Sequence, residues 1–195
     1  RSTGVFAGPL GAGRTTDALA GLKTELSPTA WKRAARAMMT TDTYAKGSTR
    51  TVDFGEGPVT LNGIAKGSAM IAPNMATMLV FVFTNAAIPA PLLQDMLERS
   101  VDPSFHCITV DGDTSTNDTV LLMATGGGDA GAGLGDRQVE IFQAALNEVM
   151  LDLAHQVVRD GEGATKFVAV TVTGAADDSQ ARLVGLAIAN SPLVK

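Results

Sequence analysis

Between Thr77 and Thr84 the chain runs Thr77-Met78-Leu79-Val80-Phe81-Val82-Phe83-Thr84, a continuous apolar stretch rich in β-branched and aromatic side chains. Such a segment has no polar face, so it reads as a strand buried on both sides that needs further layers of structure to cover it. It is far shorter than the roughly 20 apolar residues of a membrane-spanning helix. A second constraint is the amphipathic pattern that begins at Asp136. There Val139, Phe142, Leu146, Val149, Met150, Leu153 and Val157 recur at helical spacing until Gly161. A buried strand and a long helix with one apolar face together imply a mixed α/β architecture, layered as an α+β sandwich.

The remaining elements fit between these two. Helices are predicted over Thr16–Leu26 and Pro28–Met39, the second capped by Ser27 and presenting Trp31, Ala34, Ala35 and Met38 on one face. Thr51–Phe54 and Val59–Ile64 flank Gly55-Glu56-Gly57-Pro58 and read as a hairpin. Pro91–Val101 reads as a helix and Cys107–Val110 as a strand. Ser115–Ala124 reads as a helix entered through polar caps, with a strand as the alternative. The glycine-rich Thr125–Gly135 is expected to be a mobile loop, Phe167–Val172 a strand and Asp178–Ala189 a helix.

Composition excludes several functions. The 195 residues carry a net charge of −5, from 15 basic and 20 acidic side chains. No Lys/Arg cluster offers a phosphate backbone a footprint, so nucleic acid is not an expected partner, and neither is a membrane. The single cysteine, Cys107, rules out an internal disulfide and any multi-cysteine zinc site; it is expected to be a small core residue and fits a reducing compartment. His106 and His155 are the only histidines, so a His-rich metal site is impossible and no metal is expected. Asp111-Gly112-Asp113 begins like a calcium loop, but Thr116 and Leu122 stand where such a loop needs Gly and Glu. Asn117-Asp118-Thr119 matches a glycosylation acceptor and reads more simply as a helix cap. The sequence opens without Met and closes without a polar tail, as a piece of a longer precursor would.

The segment Gly63-Ile64-Ala65-Lys66-Gly67-Ser68-Ala69-Met70-Ile71-Ala72-Pro73-Asn74-Met75-Ala76-Thr77 is, at its plainest, a loop feeding a strand. Thr77 adds a chemical possibility. A threonine hydroxyl is hardly ionised at neutral pH, but an N-terminal threonine carries its own base in an α-amino group of pKa about 7.7–8.0. Such a residue is made by cutting the bond before it. Ala76-Thr77, a small residue before a hydroxyl residue at the mouth of a strand, suits hydroxyl attack on the preceding carbonyl.

Lys66-Gly67-Ser68-x-Met70-Ile71-Ala72-Pro73-Asn74-Met75-Ala76-Thr77-Met78-Leu79 resembles the ornithine acetyltransferase (glutamate N-acetyltransferase) family of arginine biosynthesis. Upstream Met39-Thr40-Thr41-Asp42-Thr43 also matches, as do downstream Asp111 to Asp118, Asp160 to Lys166 and Asn190 to Lys195. The resemblance covers essentially the whole chain and implies the self-cleaving DmpA and ornithine acetyltransferase fold. It implies cleavage at Ala76-Thr77 into an α-chain part, 1–76, and a β-chain part, 77–195, that stay associated as a hetero-oligomer. Thr77 would take the acetyl group from N-acetylornithine and pass it to glutamate, in ping-pong transfer without a cofactor. Thr3 and Gly4 would form the oxyanion site, where each donor typically contributes about 2.7–4 kcal/mol.

Substrate contacts carry over to Thr40, Lys66, Thr77 and Glu162. Without the resemblance, Lys66 reads as a solvated loop lysine and Glu162 as an acidic residue in the turn after the long helix. Ala69 stands where the family usually has glycine, and the family's chains are about twice as long as this one. The expected compartment is the cytoplasm, with the mitochondrial matrix as alternative. Two other functions stay open at this point: an N-terminal-nucleophile amidohydrolase or aminopeptidase of the related fold, and a catalytically incomplete piece.

Overall fold

The structure is a computed structural model that describes residues 12–55, 57–69, 71, 78–113, 115, 117–126 and 134–194. Its centre is a four-stranded sheet in the order β1-β2-β3-β4, formed by Lys46–Asp53, Pro58–Lys66, Leu79–Thr84 and Thr119–Ala124. The predicted hairpin is present and longer than expected. β1 and β2 pair antiparallel from Lys46↔Ala65 to Asp53↔Pro58, across a turn in which Gly55 (φ 86°) and Gly57 (φ 124°) adopt the left-handed backbone that favours glycine. β3 pairs antiparallel with β2 and parallel with β4.

The described residues form five helices, α1 (Ala12–Thr24), α2 (Trp31–Met38), α3 (Ala90–Val101), α4 (Asp136–Arg159) and α5 (Asp178–Ala189), of which α2, α3 and α4 pack against the sheet. The helical spacing read from α4 is realised, with Phe142, Leu146, Val149, Met150, Leu153 and Val157 fully buried and Val139 partly so. These side chains meet Val59, Leu61, Val80 and Val82 from the sheet. Close approach is possible because β2 carries Gly63 beneath the helix, where a Cβ would lie 2.7 Å from Leu153 Cδ1 and 3.0 Å from Val149 Cγ1. Trp31 of α2 packs edge-on against Phe83, with ring centroids 5.4 Å apart, on the opposite face of β3 from Val82.

Several expectations are corrected. β3 alternates half-buried and buried residues instead of burying both faces equally, because the α2 side covers it less fully than α4 does. Pro28 and Thr29 form a turn rather than the first turn of α2. Ser27 closes that turn by accepting from the Thr29 and Ala30 amides, and the helix begins at Trp31 with no side-chain cap. The strand expected over Cys107–Val110 is absent: Cys107 ends a short 3-10 helix, Phe105–Cys107, residues 108–110 are irregular, and Cys107 is exposed rather than part of the core.

Ser115–Ala124 is not a helix. Asn117 and Asp118 lead into β4, whose β-branched Thr119 and Val120 pair in register with Leu79 and Val80 after a crossover through α3. Residues 167–172 form no strand among the described residues, and Phe167, Val168 and Val170 are exposed. α5 spans the predicted bounds, with Asp177 accepting from the Gln180 amide at its N-cap. No described helix is long and apolar enough to cross a membrane. Most of Thr125–Gly135 lies outside the described residues.

Candidate active site

Side chains alternate along β2, so Gly63 and Ala65 face α4 while Ile64 and Lys66 face the other way. Lys66, the last residue of the strand, is only 3% exposed, which overturns its reading as a solvated loop lysine. Its Nζ donates to Thr40 Oγ1 at 3.2 Å, so two of the expected substrate-binding residues meet although 26 positions apart. Both sit on backbone fixed by one carboxylate. Asp42 accepts from the Thr40 amide at 3.1 Å and from the Gly67 amide at 2.7 Å.

Lys46 begins β1 and points to the α4 side, where it is completely buried. Its ammonium lies 2.7 Å from Asp42 Oδ1 and 2.5 Å from Asp160 Oδ2, at the C-terminus of α4. Asp160 also accepts from the Thr43 amide and hydroxyl. Burial pushes the Asp42 carboxyl up, but the Lys46 ammonium and the Gly67 and Thr40 N–H groups outweigh it and hold the group below its ordinary value.

Past Asp160 the chain turns sharply at Gly161, where a Cβ would stand 2.9 Å from Val110 Cγ1 and 3.0 Å from the Val158 carbonyl oxygen. The next residue, Glu162, is exposed, and its amide donates to the Ser68 carbonyl at 2.6 Å. The Ser68 hydroxyl is in turn paired with Thr41 Oγ1 at 2.6 Å. Backbone hydrogen bonding thus brings Glu162 beside the turn that follows Lys66.

Two aspartates hold the ends of the segment that contains Ala76-Thr77. Asp111 Oδ1 accepts from the Ile71 amide at 2.9 Å, and Asp118 Oδ1 accepts from the Met78 amide at 2.7 Å. The Thr119 amide donates to the Met78 carbonyl at 3.0 Å, so Asp118 and Thr119 together extend the β3–β4 pairing to the residue that follows Thr77. Burial pushes the Asp118 carboxyl up to about 6, against the pull of the Met78 N–H and the positive charge of Lys66. Asp111 and Asp118 were visible in the sequence only as parts of a motif, without a role. Lys46 carried no signal, because its second partner lies 114 positions away. Thr3, Gly4, Ala76 and Thr77 lie outside the described residues.

The geometry therefore provides a buried cation with a hydroxyl beside it and an acidic residue on the neighbouring turn. The ArgJ family model matches residues 1–195. This chain belongs to the ArgJ family. It is 58% identical over 194 residues to the arginine biosynthesis bifunctional protein ArgJ of Ruegeria pomeroyi, with all of this chain and 47% of the relative aligned. It is 51% identical to the protein of that name in Agrobacterium fabrum, where all of this chain and 48% of the relative align. Against the solved structure of arginine biosynthesis bifunctional protein ArgJ from Bacillus halodurans the TM-score is 0.56 at 46% identity, covering 59% of this chain and 55% of that one. The mixed α/β fold read from the sequence is thus the fold of an ArgJ family member, and the chain spans about half the length of the curated relatives it matches.

Proposed function

We propose that the protein to which this chain belongs moves an acetyl group from N-acetylornithine to glutamate through an acetyl ester on Thr77, after cutting itself between Ala76 and Thr77. The observation that carries the reading is the hydrogen bond from the buried Lys66 to Thr40, in a chain whose Met78, the neighbour of Thr77, is anchored by Asp118. A buried ammonium beside a hydroxyl suits the α-carboxylate of an amino-acid substrate, with Glu162 available for its ammonium group.

In maturation the Thr77 hydroxyl attacks the Ala76 carbonyl, and the peptide C–N bond breaks as an ester forms, which frees the Thr77 α-amine; water then hydrolyses the ester, releasing the Ala76 carboxylate and restoring the Thr77 hydroxyl. That amine then serves as the base. It takes the hydroxyl proton as Thr77 Oγ1 attacks the acetyl carbonyl of N-acetylornithine, and the C–N bond breaks with proton return to the departing ornithine amine. Attack by the glutamate amine on the acetyl ester reverses the sequence, giving N-acetylglutamate and restoring the hydroxyl. Thr3 and Gly4 serve as oxyanion donors in both halves. No step draws on a cofactor. The parts 1–76 and 77–195 stay together after the cut, and the reaction belongs in the cytoplasm.

The full-length protein tests this directly. Intact mass under denaturing conditions is expected to show two pieces divided at Ala76-Thr77, and Thr77→Ala a single chain without transferase activity. Ornithine release from N-acetylornithine should depend on glutamate; release indifferent to glutamate would make the protein a hydrolase and overturn the transferase reading.

A further inference from the structure

The three segments that supply Thr40, Lys66 and Glu162 are distant in sequence, and one buried ion cluster ties them together. Asp42 spans the first two, accepting from the amide of Thr40 and from that of Gly67, the residue after Lys66. Asp160, two residues before Glu162, accepts from the amide of Thr43. Lys46 links the carboxylates, with its side chain 0% exposed and theirs 1% and 2%. Burying such a cluster is weak evidence for stability, since the desolvation of its ions offsets their attraction and apolar packing often serves as well. Its directional hydrogen bonds instead specify the arrangement of the backbone around it.

Resting on the function proposed above, we infer that Lys46, with Asp42 and Asp160, is a positioning centre that sets the spacing of Thr40, Lys66 and Glu162. Its effect falls on substrate binding, while bond making at Thr77 is left alone. A cluster that only held the fold together would lower the melting temperature without moving KM. A cluster that sets the binding groups raises KM and leaves kcat in place, the pattern left by loss of uniform binding.

The test uses full-length protein carrying Thr43→Val, which removes a single hydroxyl donor to Asp160 from an exposed position, and separately Lys46→Met. Thr43→Val is expected to cleave fully and to raise KM for N-acetylornithine about fivefold with kcat within about twofold, and Lys46→Met to raise KM by about tenfold or more. In a Lys66→Ala background, Thr43→Val is expected to raise KM by less than it does alone, because the part of its effect that passes through Lys66 is already lost while the part through Thr40 and Glu162 remains. Unchanged KM in folded Thr43→Val, a fall in kcat at constant KM, or full additivity with Lys66→Ala would overturn the inference. Where Lys46→Met does not fold, the Thr43→Val arm decides alone. Lys66→Ala with unaltered KM would overturn the substrate reading itself, whereas a weakened Lys66→Ala beside a silent Thr43→Val would overturn only the positioning role.

Discussion

Asp42 and Asp118 show how two carboxylates of one site acquire opposite acidities. Asp42 has the Lys46 ammonium and two backbone donors, which outweigh its burial, whereas for Asp118 burial outweighs the Met78 amide and the charge of Lys66. The consequences for stability have opposite signs. An unfolded Asp42 takes up its proton more readily than the folded one, so the stability it contributes is present above the ordinary value of 3.8 and is lost as pH falls through the folded value. Asp118 in the folded chain keeps its proton to about 6 against 3.8 when unfolded, so its contribution makes stability fall as pH rises from about 4 through 6. Asp118→Asn, which keeps an acceptor for the Met78 amide, is expected to raise the urea midpoint at pH 8 and leave it nearly unchanged at pH 3, flattening that part of the profile. Equal shifts at the two pH values would sink this account. Lys66, Thr40 and Glu162 were legible in the sequence through a family motif. Lys46 was not, because a lysine heading a polar strand looks solvated until its partners, one of them 114 residues on, are placed.

At the scale of elements, periodicity was readable where it was long. Six buried positions of α4 fell where helical spacing put them, and the β1–β2 hairpin was marked by a turn containing two glycines with positive φ. Short segments were misread wherever a distant partner decides the conformation. β4 is a strand because β3 lies beside it and α3 provides the crossover, neither of which shows in the caps that precede Thr119. Residues 167–172 have the composition of a strand, yet strand pairing needs a ladder that no described segment provides. The contact between β2 and α4 is specified at Gly63, where an added methyl group would collide with Leu153. Gly63→Ala is expected to cost about 1–3 kcal/mol by overpacking, and Leu153→Ala about 2–5 kcal/mol by leaving a cavity. Since the removed Leu153 methyl is the one the new Cβ would strike at 2.7 Å, the double variant should lose clearly less than the sum. Urea denaturation of the four proteins measures this, and strict additivity would show that the collision is relieved elsewhere.

For the whole molecule, the layered α/β class followed from one apolar run and one amphipathic helix, whereas the order of the sheet did not, because nothing local announces which strands become neighbours. That order matters for what the proposed cut would do. β2 lies on one side of Ala76-Thr77 in the sequence and β3 on the other, and the two are adjacent antiparallel strands from Leu61↔Thr84 to Lys66↔Leu79. Cleavage would thus divide a continuous sheet between two polypeptides and leave the pairing as the seam between them. Folding, unimolecular in the precursor, would become an association reaction in the cleaved protein proposed above, whose unfolding midpoint should rise with protein concentration while that of uncut Thr77→Ala stays constant. A midpoint independent of concentration in fully cleaved protein would contradict this. The proposed cut in the middle of a sheet would also give the molecule a history: diluted and unfolded, the cleaved protein would have to find its partner chain again, a search the newly made precursor is spared by its own covalent bond.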